Sequence, residues 1–383
     1  MLPRVPALDG LRVFAAASVV LYHVLGARYG ANPTAGVLFP SAAFLFFVIS
    51  GFVIYRPFAA AHLAGNPEPS LGRFYRSRLV RVLPLWCLAV TTYLLFDPGH
   101  HLHGIGQWVA TYLLVQYPWH AVRYAVIGPA WALSVEWIFY LSAPLLALGV
   151  RRGRERFAGS AAPWQAEAAV LGTLFVAAWV VPSARPAVAL IAGMGLGVFD
   201  VYRRQRRTPR WLRLMAGNGW ILAATTAVSW IALAQYPYQG GLSVQWVERD
   251  AGVLAIWITT AVLWFIPVAF GDATREPQRT LGGPRMAALA QLTFGLYLWH
   301  QMILDRVISR LGRDGGFTAV LYLTAGGSIL AALVTYLAVE RPGQILNRRA
   351  PWSGTPDRPA APAEVVVDTD LEPGAAASVA SEP

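Results

Sequence analysis

The 383-residue sequence has no lysine, a single cysteine and only 13% charged residues. Soluble domains carry about 25% charged residues, so the deficit excludes an ordinary soluble enzyme. Without lysine there is no Schiff-base chemistry. Cys87 alone excludes an intramolecular disulfide and reads as a small buried apolar side chain. No Cys/His spacing resembles a zinc site. His100, His101 and His103 crowd one loop but have no helical pair or carboxylates at ligand spacing, so they read as solvated and no metal is expected.

What is present is apolar: 56% of residues are hydrophobic and the mean hydropathy is +0.46. The net charge of +11 is carried by 31 arginines against 20 acidic residues. A nucleic acid could balance such a charge, but with this hydropathy the positive-inside bias and an anionic inner leaflet account for it more simply. No nucleic-acid partner is expected. The first apolar stretch, 11–27, has no cleavage signal after it and reads as an uncleaved span.

Further apolar stretches lie near 37–58, 79–96, 128–150, 164–182, 186–202, 217–235, 251–270, 286–308 and 317–339. They predict an all-α, polytopic membrane protein with about ten transmembrane helices, each suited to an apolar core about 30 Å thick. The segment 107–119 is apolar but short, and charge decides its placement. If it does not span, the basic loops 73–81, 151–156, 203–213 and 275–285 share a side with both termini. Arg28, Arg123, Arg185, Arg249, Arg306, Arg310 and Arg313 then lie outside and the other 24 arginines inside. Both termini are therefore expected in the cytoplasm, with 107–119 as a re-entrant or interfacial helix on the outer face. Residues 1–345 read as the membrane domain. Residues 346–383, rich in Pro, Ala, Asp and Glu, read as a disordered cytoplasmic tail.

Ionisable residues inside spans are functional candidates by default. Arg12 and His23 lie eleven residues apart, about 20° from three full helical turns and about 16 Å along the axis. They share a helix face, Arg12 near the cytoplasmic surface and His23 about halfway across. Two readings are open from spacing alone. One is a pair of site residues; the other is a snorkelling arginine with a histidine bonded to a neighbouring helix.

The stretch Ala7-Leu8-Asp9-Gly10-Leu11-Arg12, with His23 following in Leu21-Tyr22-His23, resembles the signature of the acyltransferase family 3 membrane proteins. Further motifs follow in the family's order. They are Leu45-Phe46-Phe47-Val48-Ile49-Ser50-Gly51-Phe52, Phe74 to Pro84 with Arg76, Arg78 and Arg81, Trp131-Ala132-Leu133-Ser134-Val135-Glu136, Phe139-Tyr140-Leu141, Gly295 to His300, and Glu340-Arg341-Pro342. The resemblance covers about residues 7–345. It departs from the family at Ser77, where an arginine is common, and at Trp137, where an acidic or polar residue is common.

The resemblance implies transfer of an acyl group, acetyl or another short chain, from acyl-CoA to a hydroxyl. The acceptor would be a sugar, glycan, glycolipid or macrolide-type glycoside, and the site the inner (plasma) membrane. Acyl-CoA would be the co-substrate, its phosphates held by Arg12, Arg76, Arg78 and Arg81, because a guanidinium presents a planar fork of donors to phosphate. Histidine titrates near neutrality, so His23 is the candidate general base, with Glu136 to orient or charge-stabilise it. Trp131, Ser134, Tyr297 and His300 are candidate substrate contacts. Ser134 lacks a Gly-x-Ser-x-Gly turn and reads as a positioning hydrogen bond. The competing reading is a proton-coupled transporter of a small anionic or glycosidic solute, which predicts broken helices in matching halves.

Overall fold

A computed structural model describes residues 2–29, 40–96, 102–157, 163–205, 209–216, 219–235, 250–312 and 315–349. These contain helices and no strand. In chain order the helices are α1 Ala7–Tyr29, α2 Pro40–Ala64, α3 Leu71–Phe96, α4 Gly104–Tyr112, α5 Ala130–Phe157, α6 Pro163–Val180, α7 Ala187–Arg204, α8 Arg210–Met215, α9 Gly219–Gln235, α10 Ala251–Phe270, α11 Gln278–Leu281, α12 Pro284–Ala290, α13 Thr293–Leu311, α14 Phe317–Thr335 and α15 Arg341–Arg349. A π-helical turn, Tyr336–Glu340, joins the last two. Residues 1–349 form one compact unit. The expected tail therefore begins inside α15, and from 350 onward it lies outside the described residues, as do His100 and His101.

Six helices are long and apolar enough to cross a bilayer: α1, α2, α3, the Ala130–Gly153 part of α5, α10, and Phe317–Asn347. Helices α6, α7, α9 and α13 occupy the other four expected stretches with 18, 18, 17 and 19 residues. Two of these carry charged residues near one end, Asp200, Arg203 and Arg204 in α7 and Asp305, Arg306 and Arg310 in α13. The stretch 286–308 is not one helix. It breaks after Ala290, where the Thr293 hydroxyl donates to the Ala290 carbonyl at 2.9 Å and restarts the chain as α13. The ambiguous segment 107–119 contains only the end of α4, whose nine residues reach about 14 Å, too short to cross.

Helix α2 is the axis of the bundle, with 78% of its apolar window buried against 22% for the last candidate span. It crosses α7 at two glycines. A Cβ on Gly51 would stand 2.0 Å from the Leu190 carbonyl oxygen, and one on Gly193 would stand 2.2 Å from that of Val48. Small residues permit such approach where lipid tails provide no hydrophobic drive for helix association. Charge closes the same pair of helices at one end. The Arg56 guanidinium donates to Asp200 at 2.7 Å and to the Pro3 carbonyl at 2.9 Å, and Arg203 and Arg204 also reach Asp200. Next to it, Tyr55 donates to the buried Glu167 of α6 at 2.7 Å.

Removing one partner of a buried ion pair leaves the other charge uncompensated, at a cost of about 3–5 kcal/mol. Asp200→Ala is expected to destabilise the detergent-purified protein on that scale, read as a drop in the midpoint of thermal unfolding. A midpoint within one degree of wild type would show that this clasp does not hold α2 to α7.

Candidate active site

A cavity of about 270 Å³ opens between α1, α2, α3, α5 and α13. Arg12 enters it from α1, Ser50 from α2, Arg78 and Arg81 from α3, Glu136 and Tyr140 from α5, and Tyr297 from α13. Arg78 and Arg81 are three apart and so project from one helix face. Arg81 is exposed at the rim, whereas Arg12 is held 3.4 Å from Asp9, which also pairs with Arg4 at 2.5 Å. The Arg78 guanidinium lies 3.7 Å from the centre of the Phe74 ring and 5.6 Å from that of Tyr140. It donates to the Phe74 carbonyl at 3.0 Å, and its Nε is buried without a partner among the described residues.

Arg81 lies within electrostatic range of both Arg12 and Arg78, with Glu136 as the carboxylate facing them. Three like charges are brought together in one partly enclosed space, which is a site for an anion. Glu136 itself is engaged by two hydroxyls. Ser50 and Tyr140 both donate short hydrogen bonds to its Oε1.

The ten residues singled out from the sequence divide into three groups. Arg12, Arg78, Arg81, Glu136 and Tyr297 meet at the cavity. His23 and His300 meet each other, with ring centres 5.0 Å apart, off the cavity wall. Tyr297 connects the two places, because its carbonyl accepts from His300 Nδ1 at 2.7 Å and its ring lies 5.8 Å from the His300 ring. His300 is fully buried, and among the described residues His300 Nε2 and His23 Nδ1 have no hydrogen-bond partner. Glu136 makes its hydrogen bonds to Ser50 and Tyr140 rather than to His23.

The remaining three residues lie elsewhere. Arg76 reaches the Leu346 carbonyl, at 3.5 Å, and does not line the cavity. Trp131 packs in the core against Phe47 and Tyr117. Ser134 is fully buried and pins the connection before α5: it accepts from the Tyr117 amide at 3.1 Å and donates to the Leu114 carbonyl at 2.9 Å. Leu114 has a φ of 59°, a left-handed conformation costly for a branched residue, so this connection needs such anchors. Tyr140 had a signal in sequence, since it lies four residues from Glu136 on one helix face. Ser50 lay within the Leu45 to Phe52 motif, but its contact with Glu136 had no signal, because it spans 86 positions. Among the described residues, no group of three His, Cys, Asp or Glu could hold a metal ion.

The family described as an acyltransferase domain matches residues 5–339. The chain belongs to acyltransferase family 3. It is an O-acyltransferase, and with its apolar helices a multi-pass membrane protein. It is 26% identical over 405 residues to the acyltransferase MdmB of Streptomyces mycarofaciens, covering 92% of this chain and 95% of that one. It is 24% identical over 376 residues to nodulation protein 10 of Rhizobium leguminosarum bv. viciae, covering 88% and 93%. A 158-residue segment is 30% identical to the O-acetyltransferase OatA of Staphylococcus aureus (strain NCTC 8325 / PS 47), covering 38% of this chain and 25% of that one. No solved structure matches the chain.

Ser134→Ala separates a structural from a substrate-binding role. It leaves a buried amide and a buried carbonyl without their partner, at about 1–3 kcal/mol each. The expected result is lower thermal stability with an unchanged KM for the acyl donor. A raised donor KM at full stability would place Ser134 on the substrate instead.

Proposed function

We propose that the enzyme transfers a short acyl group from acyl-CoA to a hydroxyl of a sugar, glycan, glycolipid or macrolide-type glycoside. The observation that carries this reading is the cavity in which Arg12, Arg78 and Arg81 converge beside Glu136. Coenzyme A is a phosphorylated, strongly anionic carrier, and three guanidiniums match its phosphates with charge and forked donors. Arg76 contributes to positive-inside topology rather than to the donor.

In this reading both termini are cytoplasmic, in the inner membrane, and the donor enters from the end where α1 and α3 begin. Its thioester then points along α1 toward His23. Helix α1 is continuous from Ala7 to Tyr29, so His23 stands about 16 Å beyond Arg12. His23 acts as general base on the acceptor hydroxyl, and His300 supports it from the facing helix. The acceptor therefore approaches the histidine pair on the far side of Tyr297. Membership of an acyltransferase family weighs against a transporter.

Two outcomes test the assignment. Arg78→Ala and Arg81→Ala are each expected to raise the KM for acetyl-CoA roughly tenfold to a hundredfold, since a charge-assisted bond to phosphate contributes about 1.5–3 kcal/mol. Arg76→Ala changes it little, and a short acyl thioester without the nucleotide phosphates is insensitive to all three. Equal losses with both donors would reduce these arginines to topology signals. His23→Ala is expected to lower turnover by roughly 10²- to 10⁴-fold while the protein still inserts and purifies as a single species. Turnover above a tenth of wild type would remove His23 as the base.

A further inference from the structure

We propose that Ser50 is the acyl carrier of this enzyme, taking the acyl group from the donor as an ester on its Oγ before the acceptor receives it. The inference rests on the donor reading above and adds a covalent intermediate to it.

Hydroxyls within helices ordinarily bond back to the carbonyl four residues earlier. Thr91, Thr92, Thr173 and Ser328 all do so here, at 2.6–2.9 Å. Ser50, in the middle of α2, instead donates across the bundle to Glu136 Oε1. A hydroxyl held on a carboxylate, with both groups facing a cavity, is the arrangement of a nucleophile and its base. The backbone fixes it there. Val48 and Gly51, which flank Ser50, are the α2 residues locked against Gly193 and Leu190 of α7, so α2 has no room to rotate or slide.

The same cavity supplies another part of an acyl-transfer site. Tyr140 donates to the oxygen that Ser50 uses, and so orients the Glu136 carboxylate. His23 is absent from this wall. A two-step route assigns the donor half-reaction to Ser50 and Glu136 and leaves the acceptor half-reaction to the histidine pair.

The steps balance. Ser50 Oγ forms a bond to the thioester carbon while its proton passes to Glu136; the C–S bond breaks, and the thiolate takes a proton from solvent to leave as the free thiol. In the second step the acceptor oxygen bonds to the acyl carbon and gives its proton to His23, which releases it to solvent. The Oγ–acyl bond breaks, and Glu136 returns to Ser50 the proton it took in the first step. Acyl-CoA and an alcohol become an ester and free coenzyme A.

The test uses the full-length protein in detergent with radiolabelled acetyl-CoA and no acceptor. Alkali-labile label is expected on the peptide containing Ser50, together with exchange of labelled coenzyme A into acetyl-CoA. Ser50→Ala should lose both, yet bind acetyl-CoA and elute as a single species. Ser50→Cys, a smaller change, should carry the label as a thioester released by neutral hydroxylamine. Glu136→Gln should slow labelling by roughly a hundredfold or more. Wild-type protein that binds acetyl-CoA but shows neither label nor exchange would overturn the intermediate while leaving the donor reading intact. So would Ser50→Ala that labels normally. Failure to bind acetyl-CoA at all would overturn the donor reading and this inference with it.

Discussion

The close crossing of α2 and α7 is the constraint on which the site depends. At Gly51 and Gly193 the two backbones approach within the space a single methyl group would fill, so the position of α2 is set by backbone contact rather than by flexible side chains. The Arg56–Asp200 ion pair clasps the same two helices at one end. With α2 fixed, Ser50 faces α5, and Phe46, Phe47 and Ile54 complete that side of the cavity. A bundle in which α2 slid by a fraction of a turn would lose the Ser50–Glu136 contact before it lost its hydrophobic packing.

Charge in the cavity is deliberately unbalanced. Elsewhere buried arginine is matched: Arg56 has Asp200, and Arg123 sits on the Tyr117 carbonyl and ring. In the cavity Arg12, Arg78 and Arg81 face Glu136, which is already engaged by two hydroxyls, and of the three Arg12 has a further carboxylate in Asp9. Unmatched cations in a partly enclosed space raise the local concentration of anions and are stabilised when one binds. Such an excess of positive charge suits an anionic partner. The polyanionic carrier proposed above would be such a partner.

The histidine pair belongs to a different part of the molecule. His23 and His300 lie with their rings tilted and 5.0 Å apart, and Tyr297, which lines the cationic cavity, contacts His300. Such separation suits chemistry in which a charged donor and a hydroxyl-bearing acceptor arrive from different directions.

Much of this was legible in the sequence. The charge deficit, the apolar stretches and the ordered motifs determined the helical membrane class, the family and five of the residues at the cavity, because periodicity and local motifs are properties of contiguous chain. Helix geometry also placed Arg78 with Arg81, which are close in sequence. What only the tertiary structure decided was which distant residues meet. It engaged Glu136 with Ser50 and Tyr140 rather than with His23, sent Arg76 to the Leu346 carbonyl, gave Ser134 to the connection before α5, and broke the 286–308 stretch at Ala290. These outcomes depend on how helices rotate and cross against one another. A single helix's sequence says which faces are polar, but the close approach at Gly51 and Gly193 fixes which of them face the cavity.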